Sequence, residues 1–200
     1  SALLYLLGSG PILVYNGQTV GEPAAGVEGF SGDDGRTTIF DYWTMPRVAE
    51  WVNDHNYDGG QLSQERNDLR AWYADLIELA QQPGFASGNI YVLQGTNADS
   101  EGYGGGQWVF SFVRYDVERD VQWLVVANLS DQPRDIALKL PREILEFTDI
   151  PPREGTMRGT PALDDSASTI EVENRWISSQ GFDVSVPART TRVYRLEWTP

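Results

Sequence analysis

The sequence contains no cysteine and only one histidine, His55, among its 200 residues. The missing cysteines exclude disulfide bonds, thiol catalysis and cysteine-based zinc sites, and one histidine cannot build a histidine-rich metal site. Lysine is almost absent as well, because Lys139 is one of 15 basic residues and the rest are arginines. No apolar run reaches the roughly 18 residues of a membrane-spanning helix. The sequence therefore predicts no membrane partner.

Positive charge is also scarce. The sequence has 15 basic and 29 acidic residues, which give a formal net charge of −14. Such a chain repels phosphate backbones, which argues against nucleic acid as a partner, whereas neutral ligands such as glycans remain compatible. The composition is 40% hydrophobic and 12% aromatic, which is enough to build a folded core.

The stretch around which the chain is organised runs from Ser9 to Glu22. Pro11 precedes a continuous apolar run, Ile12–Tyr15, and Asn16 and Gly17 supply the turn chemistry that ends it. A run that is apolar on both faces is typical of a strand buried on both sides, as in parallel sheets and barrels. We therefore expect a buried strand over residues 11–15.

Helical patterns lie on both sides of a long connection. Residues 2–7 indicate the end of a helix, and about 40 residues, 22–62, then form a connection of a length that is usually functional or disordered. Within it, residues 45–52 predict a short helix with Pro46 in its first turn. Ser63 can cap the next helix, apolar residues recur at helical spacing from Leu69 to Ala80, and Pro83 and Gly84 end it.

From Ile90 onward the hydrophobic period changes from 3.6 to 2, which marks a boundary between two kinds of structure. Alternating segments separated by Gly, Asp and Pro turns predict an antiparallel β-sandwich in residues 85–200. The sandwich core is the expected position of four tryptophans, namely Trp108, Trp123, Trp176 and Trp198. The fold class predicted for the whole chain is therefore α+β.

The stretch SGPILVYNGQTVGE resembles the last barrel strand of the alpha-amylase superfamily, glycoside hydrolase family 13. Members carry Gly-x-Pro-x-x-x-Tyr-x-Gly-Gln-Glu-x-Gly there, and this chain departs from the motif at Thr19, where the family usually has Glu. The later segments follow in the family's order, so the resemblance covers nearly the whole chain. It implies that residues 1–84 are the end of a catalytic (β/α)8 barrel, with its last strand, a long rim loop and its last helix. Residues 85–200 would be the C-terminal all-β domain.

The resemblance also implies where substrate is bound. Tyr15 and Gln18 would end the strand at the catalytic face, and the loop that follows would bring Asp41, Tyr42 and Trp43 to the barrel rim. Flat aromatic rings can stack on the apolar faces of sugar rings, although the same aromatics would also serve to pack the loop. Asp33, Asp34 and Gly35 are compatible either with a share in a calcium site of the intact enzyme or with a plain turn.

The expected function is that of the C-terminal portion of an alpha-amylase-like enzyme acting on α-1,4-glucans by retaining hydrolysis. The family's three catalytic carboxylates lie on barrel strands upstream of this one, so we expect no catalytic residue in this chain and no activity of the chain alone. Its partners would be the upstream barrel of the same polypeptide and an oligosaccharide, and a secreted or periplasmic location is favoured. The alternatives are a carbohydrate-binding module without chemistry and a structural β-sandwich.

Overall fold

The computed structural model describes residues 1–23, 45–150, 154–164 and 166–200. These residues form two compact units. One unit joins residues 1–10 to residues 78–200, and the other consists of residues 11–77. The predicted division at residues 84 and 85 is not the boundary of these units and stays a prediction.

The larger unit contains antiparallel strands, as the change to a period of 2 predicts. Its strands are β1 (Asn89–Val92), β2 (Val109–Asp116), β3 (Val121–Asn128), β4 (Arg134–Leu138), β5 (Thr156–Pro161), β6 (Ile170–Glu173), β7 (Phe182–Val186) and β8 (Thr191–Thr199). Six of them form one sheet in the order β1-β2-β3-β8-β5-β6, and β4 pairs with β7 in a second sheet. The described part of the chain is therefore mixed helix and antiparallel sheet, which confirms the predicted α+β class.

The two sheets share one hydrophobic core. Leu124 and Val126 of β3 belong to the same cluster as Ile136 of β4 and Val184 of β7. A helix, Arg142–Phe147, adds Ile144 to this cluster. Alternation along β7, where every second residue is buried, shows how a period of 2 turns one face inward. This packing of two sheets is the architecture of a β-sandwich.

The central strand β3 is covered on both faces, because all eight of its residues are buried. On the face opposite the shared core, the ring of Trp123 lies 5.4 Å from that of Phe85, and its indole N–H donates to the Pro83 carbonyl at 2.8 Å. At the end of the strand, Asn128 is 1% exposed, and its amide donates to three backbone carbonyls.

Arg114 of β2 is buried beside the same face, with only 2% of its surface exposed. Its guanidinium donates to the carbonyls of Gly84 at 2.7 Å, Phe85 at 2.8 Å and Leu7 at 3.1 Å. Leu7 follows the first helix, α1 (Ala2–Leu6), which confirms the helix end predicted there. Burial of the guanidinium lowers the pKa of Arg114. One charged side chain thus ties two backbone segments, at Leu7 and at residues 84–85, to the sheet.

The smaller unit is built from the predicted helices. These are α2 (Pro46–Val52) and α3 (Gln64–Ala80), and a short 3-10 helix covers Gln18–Val20. Val20, Met45, Val48, Val52 and Leu62 form its core. No helix among the described residues is both long enough and apolar enough to cross a membrane.

The predicted strand over residues 11–15 is wrong. These residues have no regular secondary structure, and Leu13 is 84% exposed. A strand is defined by hydrogen bonds to a neighbouring strand, and no described residue pairs with this run. Its apolar sequence therefore predicts β-propensity, but propensity alone does not make a strand.

Two of the four tryptophans expected in the core lie at the surface. Trp108 is 46% exposed because β2 begins at the next residue, so its side chain falls beyond the paired region. Trp176 is 42% exposed within a 3-10 helix, where the Arg175 guanidinium lies 5.5 Å from the ring centre. Trp123 is buried and Trp198 packs partly buried against the shared core, as predicted.

Candidate functional site

The turn that follows residues 11–15 requires glycine at position 17. Gly17 has a φ of +80°, and an added Cβ would lie 2.6 Å from Cβ of Glu22 and 2.8 Å from Cε of Met45. Both the backbone conformation and the lack of space exclude a side chain there. The Asn-Gly pair thus ends the apolar run, as predicted.

The side chain of Gln18 holds this turn in place. Its Oε1 accepts a hydrogen bond from the Tyr15 N–H at 3.2 Å, and its Nε2 donates to the Tyr73 hydroxyl at 3.3 Å. Because Tyr73 is on α3, this amide links the turn to that helix. Gln18 therefore positions Tyr15.

Glu22 anchors the other end of the turn to α2. Its Oε2 accepts from the backbone N–H groups of Arg47 at 2.9 Å and Val48 at 3.1 Å. These groups lie in the first turn of α2, where helical N–H groups have no intrahelical partner and a negative charge is favoured. The carboxylate of Glu22 therefore has a structural role as a helix cap.

A cavity of about 280 Å³ opens between the turn and the two helices. It is lined by Val14, Tyr15, Asn16, Gly17, Thr19, Val20, Val48, Trp51 and Arg70. None of these described lining residues is acidic. The described lining combines apolar walls with hydroxyl and amide groups and the Arg70 guanidinium, and it does not contain the pair of carboxylates that glycoside hydrolysis needs.

Trp51 forms one wall and is held from two sides. The Cζ atom of Arg70 lies 4.9 Å from the centre of its ring, and the ring of Tyr57 meets it edge-on at 6.0 Å. A guanidinium over an indole face is an attractive cation–π contact. Trp51 and Arg70 are thus fixed relative to each other.

The segment after α2 folds Tyr57 onto Trp51 through an unusual backbone. Asn53, Asp54, His55 and Tyr57 all have positive φ, between 47° and 71°. Asp58 stabilises this segment by accepting from the Asn53 amide at 2.7 Å and the Gly60 N–H at 2.9 Å, and these hydrogen bonds lower the pKa of Asp58. Non-glycine residues in this conformation are strained, and strain of this kind concentrates at functional sites.

Of the residues predicted to contact substrate, Tyr15 lines the cavity and is 42% exposed. Gln18 lies behind it and does not line the cavity. Asp41, Tyr42 and Trp43 lie outside the described residues, as do Asp33 and Asp34 of the proposed calcium segment. Within the described residues, no three His, Asp or Glu side chains are grouped to hold a metal ion.

Sequence reasoning identified neither Arg70 nor Trp51 as a site residue. Arg70 follows Leu69 on α3 and has the pattern of a solvated helix residue. Its contact with Trp51 joins two helices, and no local spacing predicts such a contact. A cluster of aromatics near an arginine on the next helix is the only sequence signal available.

Comparison with known proteins gives a match at the level of fold. No protein-family model matches the chain, and no curated protein matches it. Among solved structures, the alpha-amylase from H. orenii is 21% identical, with a TM-score of 0.51 over 98% of this chain and 34% of its own. Two structures of AmyP have TM-scores of 0.56. The one in complex with maltotriose is 13% identical and covers 98% of this chain and 33% of its own, and the one in complex with maltose is 12% identical and covers 97% and 33%.

This chain spans about one third of the length of those structures. The resemblance read from its sequence is confirmed, and the chain has the fold of about one third of an alpha-amylase.

Proposed function

We propose that this chain is the C-terminal portion of an alpha-amylase-like glycoside hydrolase that acts on α-1,4-glucans by retaining hydrolysis. In this proposal residues 1–84 complete a (β/α)8 barrel and form part of its substrate cleft, and residues 85–200 form the C-terminal β-sandwich domain. The likeness of fold over nearly the whole chain supports the proposal.

The observation that carries the proposal is the exposed apolar run Ile12–Tyr15. Each of its four side chains is at least 40% exposed, although fully burying one large apolar side chain stabilises a protein by about 1.5–3 kcal/mol. In the proposed barrel, these residues are the last strand and pair with neighbouring strands of the catalytic domain. The same residues that fail to form a strand here are then explained as one side of an interface within the intact enzyme.

This interpretation predicts how the run exchanges its amide hydrogens. In the 200-residue chain, amides of residues 12–14 should exchange far faster than those of β3, because no described strand pairs with them. In the intact enzyme they should become as protected as a barrel strand. Equal protection of residues 12–14 and β3 in a monomer of the 200-residue chain would contradict the proposal.

The cavity beside Tyr15 is the proposed contact with sugar. AmyP has been solved with maltose and with maltotriose, and a neutral sugar suits a cavity that has apolar walls and hydroxyl groups but no acidic lining residue. Tyr15 would contact the sugar directly and Gln18 would hold Tyr15 in place. Asp41, Tyr42 and Trp43 are proposed as further contacts from the rim loop.

The chemistry itself would come from upstream of this chain. Retaining hydrolysis requires two carboxyl groups about 5–5.5 Å apart, and the motif position where the family usually carries Glu is Thr19 here. Glu22 is the first acidic residue that follows Thr19 in the sequence, and it caps α2. The chain alone is therefore proposed to be inactive, so release of reducing ends from starch by the purified 200-residue chain at an enzyme-like rate would refute the assignment.

The role of Tyr15 is tested in the intact enzyme with a pair of variants. Tyr15→Ala should lower kcat/KM on maltoheptaose about 3- to 10-fold, since an aromatic contact is worth about 0.5–1.5 kcal/mol. Tyr15→Phe, which keeps the ring, should stay within about twofold of the parent if stacking is the main contribution. Leu13→Ala is the matched control, because Leu13 precedes Tyr15 in the same run and does not line the cavity. Equal loss in Tyr15→Ala and Leu13→Ala would show an effect on folding rather than on binding.

A further inference from the structure

Arg70 carries the only charge among the described residues that line the cavity beside Tyr15. The whole chain has 29 acidic and 15 basic residues, so the described wall of this cavity has the opposite sign of charge to the protein as a whole. Arg70 is exposed, which leaves its guanidinium within reach of a ligand that enters the cavity. This local reversal of charge bears on which ligand the cavity can take.

The guanidinium of Arg70 is not used to hold the protein chain together. Its interaction in the described structure is the cation–π contact with Trp51, and it makes no hydrogen bond or ion pair with any described residue. Arg66, one turn earlier on α3, shows the contrast, because it donates to the carbonyls of Val20 at 2.7 Å and Gly21 at 2.8 Å. A guanidinium carries several N–H donors, and those of Arg70 are therefore available to a ligand.

The carboxylates of the turn and of α2 do not cancel this charge within the cavity. Glu22 accepts hydrogen bonds from the first turn of α2, and Glu50 forms an ion pair with Arg47. Neither glutamate lines the cavity. At physiological ionic strength, exposed charges farther away than about 8 Å are largely screened. The charge that a ligand meets from the described lining is therefore positive.

The remaining lining fits a single sugar ring. The volume of about 280 Å³ lies just below the range of about 300–1,000 Å³ that is usual for small-ligand sites, so the cavity suits one ring rather than a longer chain. Tyr15 and Thr19 bring hydroxyl groups to the wall, and Tyr15 adds an aromatic ring. The contact with Trp51 fixes the guanidinium relative to this wall.

We propose that Arg70 determines the charge specificity of this sugar site. A sugar residue that carries a carboxylate or a phosphate ester binds more tightly than an uncharged sugar, and an uncharged sugar binds more tightly than a protonated amino sugar. The acidic group accepts charge-assisted hydrogen bonds from the guanidinium while the ring contacts Tyr15. That the ligand is a sugar rests on the function proposed above, whereas the order of preference follows from Arg70. Arg70 binds and carries no chemistry.

The test compares four ligands built on the same ring, namely glucuronate, glucose 6-phosphate, glucose and glucosamine, at a pH at which glucosamine is protonated. Each is titrated into the 200-residue chain at constant ionic strength, and binding is followed by nuclear magnetic resonance of the Trp51 indole N–H. In water, one unit charge about 4 Å from another changes affinity about fivefold. We expect glucuronate and glucose 6-phosphate to bind about fivefold or more tighter than glucose, and glucosamine about fivefold weaker.

Variants separate the charge of Arg70 from its size and from the fold. Arg70→Gln keeps N–H donors and removes the charge at an exposed position, so all four ligands should bind within about twofold of one another. Arg70→Lys keeps the charge and should keep the order. Thr19→Glu adds a carboxylate to the cavity wall and should abolish the preference for acidic sugars. Arg142→Gln is the matched control, because Arg142 is exposed and does not line the cavity.

Equal affinity of the parent chain for the four ligands would overturn the proposal. So would an order of preference that Arg70→Gln leaves unchanged, because the selection would then come from another charge. If none of the ligands shifts the Trp51 signal, the cavity binds no sugar, and the proposed contact at Tyr15 is lost as well. Failure of the proposed function is distinguishable, because these measurements involve no hydrolysis. An intact enzyme that is inactive on starch but keeps the order of preference would overturn that function and leave the role of Arg70 intact.

Discussion

Replacing the buried Arg114 by methionine should destabilise the β-sandwich severely. Methionine matches the length of the arginine stem but donates no hydrogen bond, so the carbonyls of Leu7, Gly84 and Phe85 would lose their shared donor. Each buried acceptor left without a partner costs about 1–3 kcal/mol. Burial of the guanidinium is itself unfavourable, as the lowered pKa of Arg114 indicates. Its removal therefore offsets part of the cost of the three unpaired carbonyls.

We expect a net loss of about 3–5 kcal/mol in the free energy of unfolding, the lower part of the roughly 3–9 kcal/mol that three acceptors without a donor would cost, because relief of the guanidinium's burial offsets the rest. Since single domains are stable by about 5–15 kcal/mol, this is a large fraction of the total. Arg114→Lys keeps the charge but concentrates it on one ammonium, which cannot match the three directions of the guanidinium fork, so it should give an intermediate loss.

The measurement is urea unfolding followed by circular dichroism, combined with hydrogen exchange of the β3 amides to assign the loss to the sheet. Arg142→Met, at an exposed arginine, is the matched control and should change stability by no more than about 0.5 kcal/mol. A loss below about 1 kcal/mol in Arg114→Met would refute the reasoning, because it would mean that water or the backbone satisfies the three carbonyls without the arginine.

Three further results are expected. Gly17→Ala should cost about 2–4 kcal/mol, seen as faster exchange of the α2 amides, because a Cβ fits neither the positive φ nor the space; unchanged exchange would contradict this. Asn128→Ala should cost about 2–4 kcal/mol in urea unfolding, since its amide bridges three backbone carbonyls; a loss under about 0.5 kcal/mol would show that those carbonyls find other donors. Burial acts to raise the pKa of Asp164, but hydrogen bonds from Ser166 and the charge of Arg192 outweigh it and lower the pKa below 3.8. The stabilisation by Asp164 should therefore be complete above about pH 3.8 and disappear as the pH falls through the lower, folded-state pKa, so melting temperatures of the parent and Asp164→Asn should converge in acid.

The sequence predicted the β-sandwich and the helices well because their signals are periodic and local. The alternation along β7 and the helical spacing of α3 are both readable without knowing any partner. The run Ile12–Tyr15 has strand-like composition too, but a strand also needs a neighbour, and none of the described residues supplies one. Local composition therefore predicts the β-propensity of a segment, whereas hydrogen bonds to a neighbouring strand decide whether the segment forms a strand.

The residues of the candidate site also differ in whether local sequence could predict them. Tyr15 was predicted because the resemblance implies that it ends a strand at the catalytic face. It lines the cavity although no strand forms over residues 11–15, and its contact with substrate stays a prediction. Arg70 could not be predicted, because its place in the site arises from a contact with Trp51 on another helix. The predicted burial of Trp108 and Trp176 was wrong for a related reason. Whether a large aromatic side chain is buried depends on where a strand starts and ends within a sheet.

The strand order of the large sheet has a consequence for how this protein is made. Strand β3 lies at the centre of the sheet, yet one of its two neighbours is β8, which follows it by more than 60 residues of chain. During translation β2 and β3 emerge early, but one edge of β3 stays open until residues 191–199 have left the ribosome. The sheet can therefore close only after β8 has emerged, and until then β3, whose eight residues are all buried in the folded sheet, keeps one edge open to pairing with other chains.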